Sequence, residues 1–421
     1  MSRWIRSHRW PLLALTVVAW LGGAGPTVVA AAPAPAAVLS TAGLYVAVTP
    51  TRIVDTRVGL GGSSRIGADR AVAVQITSDN GVIPSSGVAA IVANVTVTNP
   101  AGPGNLAVYA TGTARPTVSN VNFVAGQTVP NLVTVPISAR GQIDLRNNST
   151  GAVDVIVDVS GYYVSGTPVE PGSFRSLTPS RIVDSRINLG FGGRVPADQP
   201  IAVHVTGTGG VPASGVAAVV ANVTVTEPSA PGNLSVYPTG VARPTVSNVN
   251  FVGGQTVPNL VTVPVGADGR IVLRNNSTGT TQVIVDVAGY YLAGHPTASG
   301  AFVSVTPARI VDSRIGQGLT GRVRPTETVF IGITGRGGLP GTAVGAVVAN
   351  LTVTEPTAPG NLAVYPSASG PTGVSNVNFV AGQSVPNLLI APVATDGTVK
   401  LQNNSTGPTH VIMDVAGYFI L

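Results

Sequence analysis

The sequence contains no cysteine, which excludes disulfide bonds, thiol catalysis and cysteine-ligated metal sites. Charged residues make up only 10% of the 421 residues, and Lys400 is the single lysine. The basic residues form no stripe, so nucleic-acid binding is not expected. All three tryptophans lie within the first 20 residues. The rest of the chain therefore lacks the exposed tryptophans that would form a flat platform for crystalline polysaccharide.

The chain is rich in valine, alanine and threonine, and it holds 52 glycines and 34 prolines. Branched residues suit strands, while glycine and proline supply turns. No segment carries the period of an amphipathic helix. This composition predicts an all-β protein.

Residues 1–32 have the pattern of a secretory signal peptide. Arg3, Arg6 and Arg9 precede an apolar run, and small residues around Ala30 follow it. Residues 33–43 are an alanine- and proline-rich spacer. We therefore expect a secreted protein, located extracellularly or at the cell wall, that meets a membrane only during export.

Two phrases recur three times and divide the rest of the chain. The opening phrase Thr-Pro-x-Arg-Ile-Val-Asp-Ser/Thr-Arg occupies residues 49–57, 178–186 and 306–314. The closing phrase Asp-Val-Ala/Ser-Gly-Tyr-Tyr/Phe occupies residues 158–163, 286–291 and 414–419. Repeats of about 128 residues are long enough to hold a core each. We predict β modules at 44–164, 174–292 and 301–421, with linkers at 165–173 and 293–300. Because these joints are short and contain proline and glycine, the modules should be beads with limited swing.

Within a module the hydrophobic period is two. Ile91, Ala93, Val95 and Val97 share one strand face, and residues 153–159 place alternate valines on another. Eight to ten such strands fit in each module. The expected fold is three tandem antiparallel β-sandwich modules, jelly-roll-like, of about 128 residues.

The opening phrase carries an Arg–Asp–Arg group. On a regular strand Asp55 and Arg57 share one face and Arg52 takes the other. One interpretation is a structural ion pair that stabilises the module. The other is a pocket in which arginine binds a carboxylate or sugar hydroxyls. Paired burial is the usual state of charges, which favours the structural interpretation.

Asparagine also recurs at matching positions, where turn and bulge chemistry is the usual explanation. Asn120 and Asn122 differ because both amides fall on one face of an expected strand. Beside Tyr109 they would suit sugar hydroxyls or a structural ladder. Of the adjacent Tyr162 and Tyr163, one should face outward.

No catalytic set is shared by the three copies. The histidines after the leader, His204, His295 and His410, occupy no common position, so a shared triad or metal site is not expected. Asp55 and Asp158 are the only carboxylates present in every copy, which leaves a paired-carboxylate hydrolase as the alternative. A calcium site of Asp and Asn oxygens also stays open. No cofactor and no metal are predicted.

The opening and closing phrases, with Gly-Gln-Thr/Ser-Val-Pro-Asn-Leu at 126–132, 254–260 and 382–388, resemble a repeat of secreted actinobacterial proteins. The resemblance covers nearly the whole chain after the leader. It implies export, a β fold and an accessory role, sometimes beside hydrolase domains.

We therefore expect a secreted or cell-surface, non-enzymatic repeat protein that binds or scaffolds in the cell envelope or extracellular matrix. Its expected partner is a cell-wall or extracellular polysaccharide; the alternative is a carbohydrate-active hydrolase using the repeated Asp pairs. The candidate ligand-binding or structural residues are Arg52, Asp55, Arg57, Tyr109, Asn120, Asn122, Asp158, Arg181, Asp184, Arg186, Tyr237, Asn248, Asn250, Asp286, Arg309, Asp312, Arg314, Tyr365, Asn376, Asn378 and Asp414.

Overall fold

A computed structural model describes residues 42–62, 64–78 and 81–421. The predicted signal peptide lies outside these residues, as does all but the end of the spacer. The described residues form strands without any α-helix, and their one 3-10 turn is Ser185–Ile187. The all-β prediction is confirmed. None of the described segments is a helix long and apolar enough to cross a membrane.

The strands fall into three sets of eight. Set 1 consists of β1 Tyr45–Asp55, β2 Arg70–Gln75, β3 Val88–Thr98, β4 Gly104–Ala110, β5 Val121–Phe123, β6 Val129–Pro136, β7 Gln142–Asn147 and β8 Asp154–Val164. Set 2 consists of β9 Phe174–Asp184, β10 Pro200–His204, β11 Val216–Thr226, β12 Gly232–Pro238, β13 Val249–Phe251, β14 Val257–Pro264, β15 Arg270–Asn275 and β16 Gln282–Leu292. Set 3 consists of β17 Phe302–Asp312, β18 Thr328–Gly332, β19 Val344–Thr354, β20 Gly360–Pro366, β21 Val377–Phe379, β22 Val385–Pro392, β23 Thr398–Asn403 and β24 His410–Ile420.

Each set makes two antiparallel four-stranded sheets with the same strand order. In set 1 the orders are β1-β8-β3-β6 and β2-β7-β4-β5, and sets 2 and 3 repeat them. Strands that pair across such long separations, packed as two facing sheets, have the jelly-roll order. The β-sandwich, jelly-roll character of the fold is thus present in the strand order itself.

The inward faces follow the alternation of the sequence. Ile91, Ala93, Val95 and Val97 of β3 are fully buried between the two sheets of set 1. The alternate valines of β8 join the same core, as predicted. Sets 2 and 3 have equivalent cores of their own. Each sandwich is therefore held together by the valine-rich faces that the period of two selects.

The opposite face of the first sheet is also buried, because it packs against the other sets. Val92 of β3, on this face, is 0% exposed and belongs to a fourth core built from all three sets. This shared core comprises Tyr45, Ala90, Val92, Leu132, Tyr163, Phe174, Ala218, Val220, Leu260, Tyr291, Phe302, Ala346, Val348, Leu388, Ile390 and Phe419.

Aromatic pairs in the shared core connect each set to the next and close a ring. The ring centroids of Tyr163 and Phe174 are 4.3 Å apart, joining set 1 to set 2. The Tyr45–Phe419 pair, also at 4.3 Å, joins set 1 to set 3. The prediction that Tyr162 or Tyr163 faces outward is wrong. Tyr163 is 1% exposed in the shared core, and Tyr162 packs, partly buried, against the core of set 1.

Backbone hydrogen bonds join the first strand of sets 2 and 3 to the segment that precedes the set before it. The amide of Phe174 donates to the carbonyl of Gly43 at 2.7 Å, and that of Phe302 donates to Gly172 at 2.8 Å. Gly172 has φ +76°, and a Cβ there would lie 2.5 Å from the oxygen of Phe302. The expectation of beads with limited swing is wrong, because the linkers and the shared core hold residues 42–421 together.

Candidate functional site

The Arg–Asp–Arg group does not divide between two strand faces. Strand β1 has a bulge between Arg52 and Val54, which turns the chain so that the Arg52 Nη1 and Asp55 Oδ2 atoms lie 3.5 Å apart. The strand ends at Asp55, and Arg57 folds back onto that carboxylate. The predicted separation of Arg52 from Asp55 is therefore wrong.

Each arginine of the group holds a carboxylate through two hydrogen bonds. Arg52 donates to both oxygens of Asp158 at 2.8 and 3.1 Å. Arg57 donates to both oxygens of Asp55 at 2.8 and 2.6 Å. Sets 2 and 3 repeat these contacts with Arg181, Asp184, Arg186 and Asp286, and with Arg309, Asp312, Arg314 and Asp414.

The two carboxylates of the group differ electrostatically. Hydrogen bonds from Arg57 hold the pKa of Asp55 below its ordinary value of 3.8. Burial raises the pKa of Asp158 above 3.8, and the hydrogen bonds from Arg52 offset this only in part. Both side chains are almost inaccessible, at 5% and 3% exposure. Asp55 and Asp158 thus form ion pairs within a network of charges, and Asp158 also contacts another set.

The contacts of this network extend across the set boundaries. The amide of Ser375 in set 3 donates to Asp158 of set 1 at 3.4 Å, and Asn94 of set 1 donates to the carbonyl of Ser375 at 2.6 Å. Asn222 and Asn350 make the matching bonds to the carbonyls of Ser119 and Ser247. The third strand of each set thus binds the Ser-Asn-Val-Asn segment of another set through its asparagine, and Asp158 and Asp414 of the closing phrase add a bond in two of the three cases.

A second group of amides, which the sequence reasoning assigned to turns, lies in the buried centre. Asn131 donates to the side-chain oxygen of Asn222 at 2.8 Å and accepts from the amide of Leu260 at 3.1 Å. Asn259 makes the matching bonds from set 2 to set 3, and Asn387 makes them from set 3 to set 1. The available signal was the position of each asparagine inside an apolar strand phrase, Pro-Asn-Leu. A buried polar residue there needs partners, and the ring of sets provides them.

Asn120 and Asn122 separate into two roles. The Asn120 oxygen accepts from the amide of Val108 at 2.7 Å, and Asn248 and Asn376 make the same bond to β12 and β20. These three amides pin the neighbouring strand. The Nδ2 atom of Asn122 is buried without a partner among the described residues. Together with Asn250 and Asn378, Asn122 faces a small axial cavity of about 30 Å³.

The candidate tyrosines lie away from the charged network. Tyr109 is 7% exposed on β4, and burial raises its pKa. Tyr237 and Tyr365 occupy the same place on β12 and β20 and are also buried. Tyr365 donates to the Gln402 side chain at 3.3 Å. The sequence hypothesis of a tyrosine beside the amides of a sugar site is not reproduced, because no tyrosine lines the clefts described next.

Two open clefts lie between neighbouring sets. The first cleft, between sets 1 and 2, has a volume of about 460 Å³ and the second, between sets 2 and 3, about 580 Å³. Both bring the arginines of one opening phrase against the Arg-Pro-Thr-Val-Ser segment of the preceding set. The first cleft is lined by Asn105, Arg115, Pro116, Thr117, Val118, Ser119, Asn122, Asn148, Arg181, Arg186, Thr224, Thr226, Thr256 and Ile284. The second is lined by Asn233, Ser235, Arg243, Pro244, Thr245, Val246, Ser247, Asn250, Asn276, Arg309, Arg314, Thr352, Thr354, Ser384 and Ile412.

The residues that line the clefts are polar or basic for the most part. Their linings offer hydroxyl, amide and guanidinium groups but no carboxylate, histidine or other general base. Among the residues that the structure describes, no three histidine, aspartate or glutamate side chains come together as a metal site.

Comparisons with known proteins give limited information. No family model matches the chain, and no curated protein matches it. Among solved structures it is similar to one of an archaeal virus described as a triple jelly roll fold with turret assembly, at 10% identity and a TM-score of 0.21, covering 90% of this chain and 91% of that one. A structure of Sulfolobus turreted icosahedral virus matches at 9% identity and a TM-score of 0.21, covering 90% and 92%. At such TM-scores neither likeness supports a conclusion about function.

Proposed function

We propose that this chain is an exported, non-enzymatic saccharide-binding protein of the cell envelope or extracellular matrix. The observation on which this proposal rests is the pair of clefts between neighbouring sets. Volumes of about 460 and 580 Å³ fall within the range of roughly 300–1,000 Å³ that is typical of small-molecule sites. Their linings of serine, threonine, asparagine and arginine match the many donors and acceptors of a sugar ring.

In this proposal the three sets are three tandem jelly-roll modules, derived from one ancestral unit and assembled into a single body. The opening phrase recurs at a nearly constant spacing, and each copy begins the same strand order. The clefts lie between modules, so one module would not form the site. That dependence gives a physical reason for a tandem arrangement beyond avidity.

Export is supported by the leader at residues 1–32, with its arginines, apolar run and small residues. The absence of cysteine means that stability outside the cell must come from packing alone. Three module cores and one shared core supply that packing.

The hydrolase alternative assigned catalysis to Asp55 and Asp158. Both carboxylates are buried and bound by guanidinium groups, and the backbone amide of Ser375 donates to Asp158 as well. A raised pKa suits a general acid, but a general acid must also reach the glycosidic oxygen. Burial under Arg52 argues against such contact. If the chain hydrolyses a polysaccharide and the variant Asp158→Asn, with its fold intact, does not, the hydrolase alternative would be supported.

A glycan array probed with the purified full chain tests the proposal. Thr117 and Thr245 are exposed residues that line the first and second clefts. We expect saccharide binding, and we expect the double variant Thr117→Trp/Thr245→Trp to weaken it at least tenfold by filling both clefts. Thr167→Trp, on an exposed segment away from the clefts, is the matched control. Absence of binding to any glycan would leave a purely structural scaffold, and binding unaffected by the double variant would exclude the clefts.

A further inference from the structure

Each cleft contains three arginines and no acidic residue. The first cleft has Arg115, Arg181 and Arg186, and the second has the corresponding Arg243, Arg309 and Arg314. Arg181 and Arg186 are held by Asp184 and Asp286, which lie behind them and cancel their charge. The net charge of a cleft therefore depends on its remaining arginine.

That remaining arginine is not neutralised. Arg115 has no carboxylate within 4.0 Å among the described residues, while both oxygens of Asp184 and Asp286 are engaged elsewhere. The closest approach for Arg243 is 4.0 Å to Asp198, and both of these side chains are at least half exposed. An ion pair that long and exposed contributes little. Each cleft thus has about one uncompensated positive charge facing its opening.

Two residues that line the clefts each have a buried amide atom without a partner among the described residues. Asn122, which lines the first cleft as well as the axial cavity, has an unsatisfied Nδ2 donor, and Asn276 of the second cleft has an unsatisfied Oδ1 acceptor. A buried polar atom without a partner is costly, so it is normally satisfied by water or a ligand. A donor suits a carboxylate or hydroxyl oxygen, and an acceptor suits a hydroxyl proton. A saccharide could satisfy either atom, because its hydroxyl groups both donate and accept hydrogen bonds.

The interface between sets 3 and 1 repeats the cross-set contacts. Asn94 and Asp158 of set 1 bind Ser375 of set 3, as Asn350 and Asp414 bind Ser247 at the second cleft and Asn222 binds Ser119 at the first. However, the segment before Ser375 reads Gly-Pro-Thr-Gly-Val at 370–374, where set 1 has Arg-Pro-Thr-Val and set 2 has the same. The uncompensated arginine is missing here.

The amide that corresponds to Asn122 is also satisfied in this third interface. Asn378 Nδ2 donates to the Ser375 hydroxyl at 3.3 Å. The Thr372 hydroxyl oxygen in this segment is itself buried without a partner among the described residues, so the feature that separates this interface from the two clefts is the missing arginine. The chain contains its own comparison of a charged interface with a neutral one.

From these observations we infer that the first and second clefts bind acidic saccharides, with the anionic group against Arg115 or Arg243, and that each chain has two such sites rather than three. The inference rests on the proposed saccharide binding and specifies its ligand class and stoichiometry. Arginine binds carboxylate, sulfate and phosphate groups through the same paired hydrogen bonds, so the shared chemistry is an anionic sugar.

Isothermal titration calorimetry with the full chain tests this inference. The probes are hexagalacturonate, its fully methyl-esterified form, a heparin hexasaccharide, mannose 6-phosphate and neutral maltohexaose. We expect at least one anionic probe to bind with two sites per chain, and to weaken as salt is raised. For hexagalacturonate, methyl esterification keeps the shape but removes the charge, and should lower affinity at least tenfold. Binding of hexagalacturonate identifies a carboxylate, binding of heparin without hexagalacturonate identifies a sulfate, and binding of mannose 6-phosphate identifies a phosphate.

Variants separate the sites. Arg115→Met keeps the apolar stem and should leave one site per chain, and Arg115→Met/Arg243→Met should reduce affinity at least tenfold at both. Arg140→Met, at an exposed hairpin, is the matched control and should change nothing. Three equal sites, or anionic binding unaltered by the double variant, would overturn the inference. Binding of maltohexaose alone would overturn it while leaving saccharide binding intact, and no binding by any probe, together with a negative glycan array, would overturn both.

Discussion

The substitution Asn131→Ala should destabilise the whole ring of sets from a position that touches neither cleft nor solvent. Asn131 is 1% exposed. Its amide donates to the Asn120 carbonyl at 2.6 Å and to the Asn222 side chain at 2.8 Å, and its oxygen accepts from Leu260 at 3.1 Å. Two of these three bonds cross from set 1 to set 2. Alanine removes all three and leaves their partners in the buried centre.

The expected cost is about 3 kcal/mol. A hydrogen bond contributes about 1 kcal/mol net, and three are lost. Partners that remain buried without water would raise this figure, since an unsatisfied group costs about 1–3 kcal/mol. Water that enters the space left by the amide would lower it. The loss is a large fraction of the 5–15 kcal/mol that typically stabilises a domain.

Urea unfolding followed by circular dichroism measures the effect as the change in midpoint multiplied by the slope m. The matched control is Asn404→Ala, which removes an exposed bond of 3.0 Å to Asn361 and should cost less than about 0.5 kcal/mol. If Asn131→Ala costs no more than the control, the buried amides do not hold the sets together and the reasoning fails.

Three further predictions follow from the fold. The Arg57 hydrogen bonds lower the pKa of Asp55 in the folded chain, so their stabilisation is present above the unfolded pKa near 3.8 and is lost as pH falls through the lower folded pKa. The variant Asp55→Asn should therefore lose less stability between pH 5 and pH 2, measured as the urea midpoint. An unchanged dependence of the midpoint on pH would contradict this prediction. Gly172→Ala should lower the free energy of unfolding by several kcal/mol, because its Cβ would meet a backbone oxygen at 2.5 Å. Gly59→Ala, at φ +71° with open space around it, should cost only about 1–2 kcal/mol of backbone strain. Equal losses of stability in thermal unfolding would refute the role of the contact. Tyr163→Ala should lower the free energy of unfolding by about 3–5 kcal/mol, because it leaves a cavity in the shared core. Tyr163→Phe should cost much less, because it removes only the hydroxyl contact of 2.5 Å to Tyr291. Equal losses of stability in urea unfolding would contradict the packing role of the ring.

Local pattern was sufficient for the sandwich. Ile91, Ala93, Val95 and Val97 are all apolar and share one strand face, and that period of two alone assigns the face to a core. The alternation cannot say what covers the other face. Asn94 and Thr96 lie on that other face, and both are buried because another set packs there. Association between repeats is a long-range contact that no local period encodes.

The candidate site was recoverable only in part for a similar reason. Recurrence in the sequence identified the group of Arg52, Asp55 and Arg57 and, separately, Asp158; the structure pairs Arg52 with Asp158 and Arg57 with Asp55. The bulge after Arg52 changes which residues meet, and nothing in a strand period predicts it. Arg115 lacks that signal, because set 3 has Gly370 at the corresponding position and the residue therefore does not recur in all three copies. Its loss at one copy is the feature that distinguishes the interfaces.

A crystal structure of the chain with a bound acidic hexasaccharide tests the central claim most directly. The account predicts ligand density in the first and second clefts, with an anionic group within about 3 Å of the Arg115 and Arg243 guanidinium groups, and none at the interface between sets 3 and 1. Density at all three interfaces alike, or on the outer sheets with both clefts empty, would contradict it.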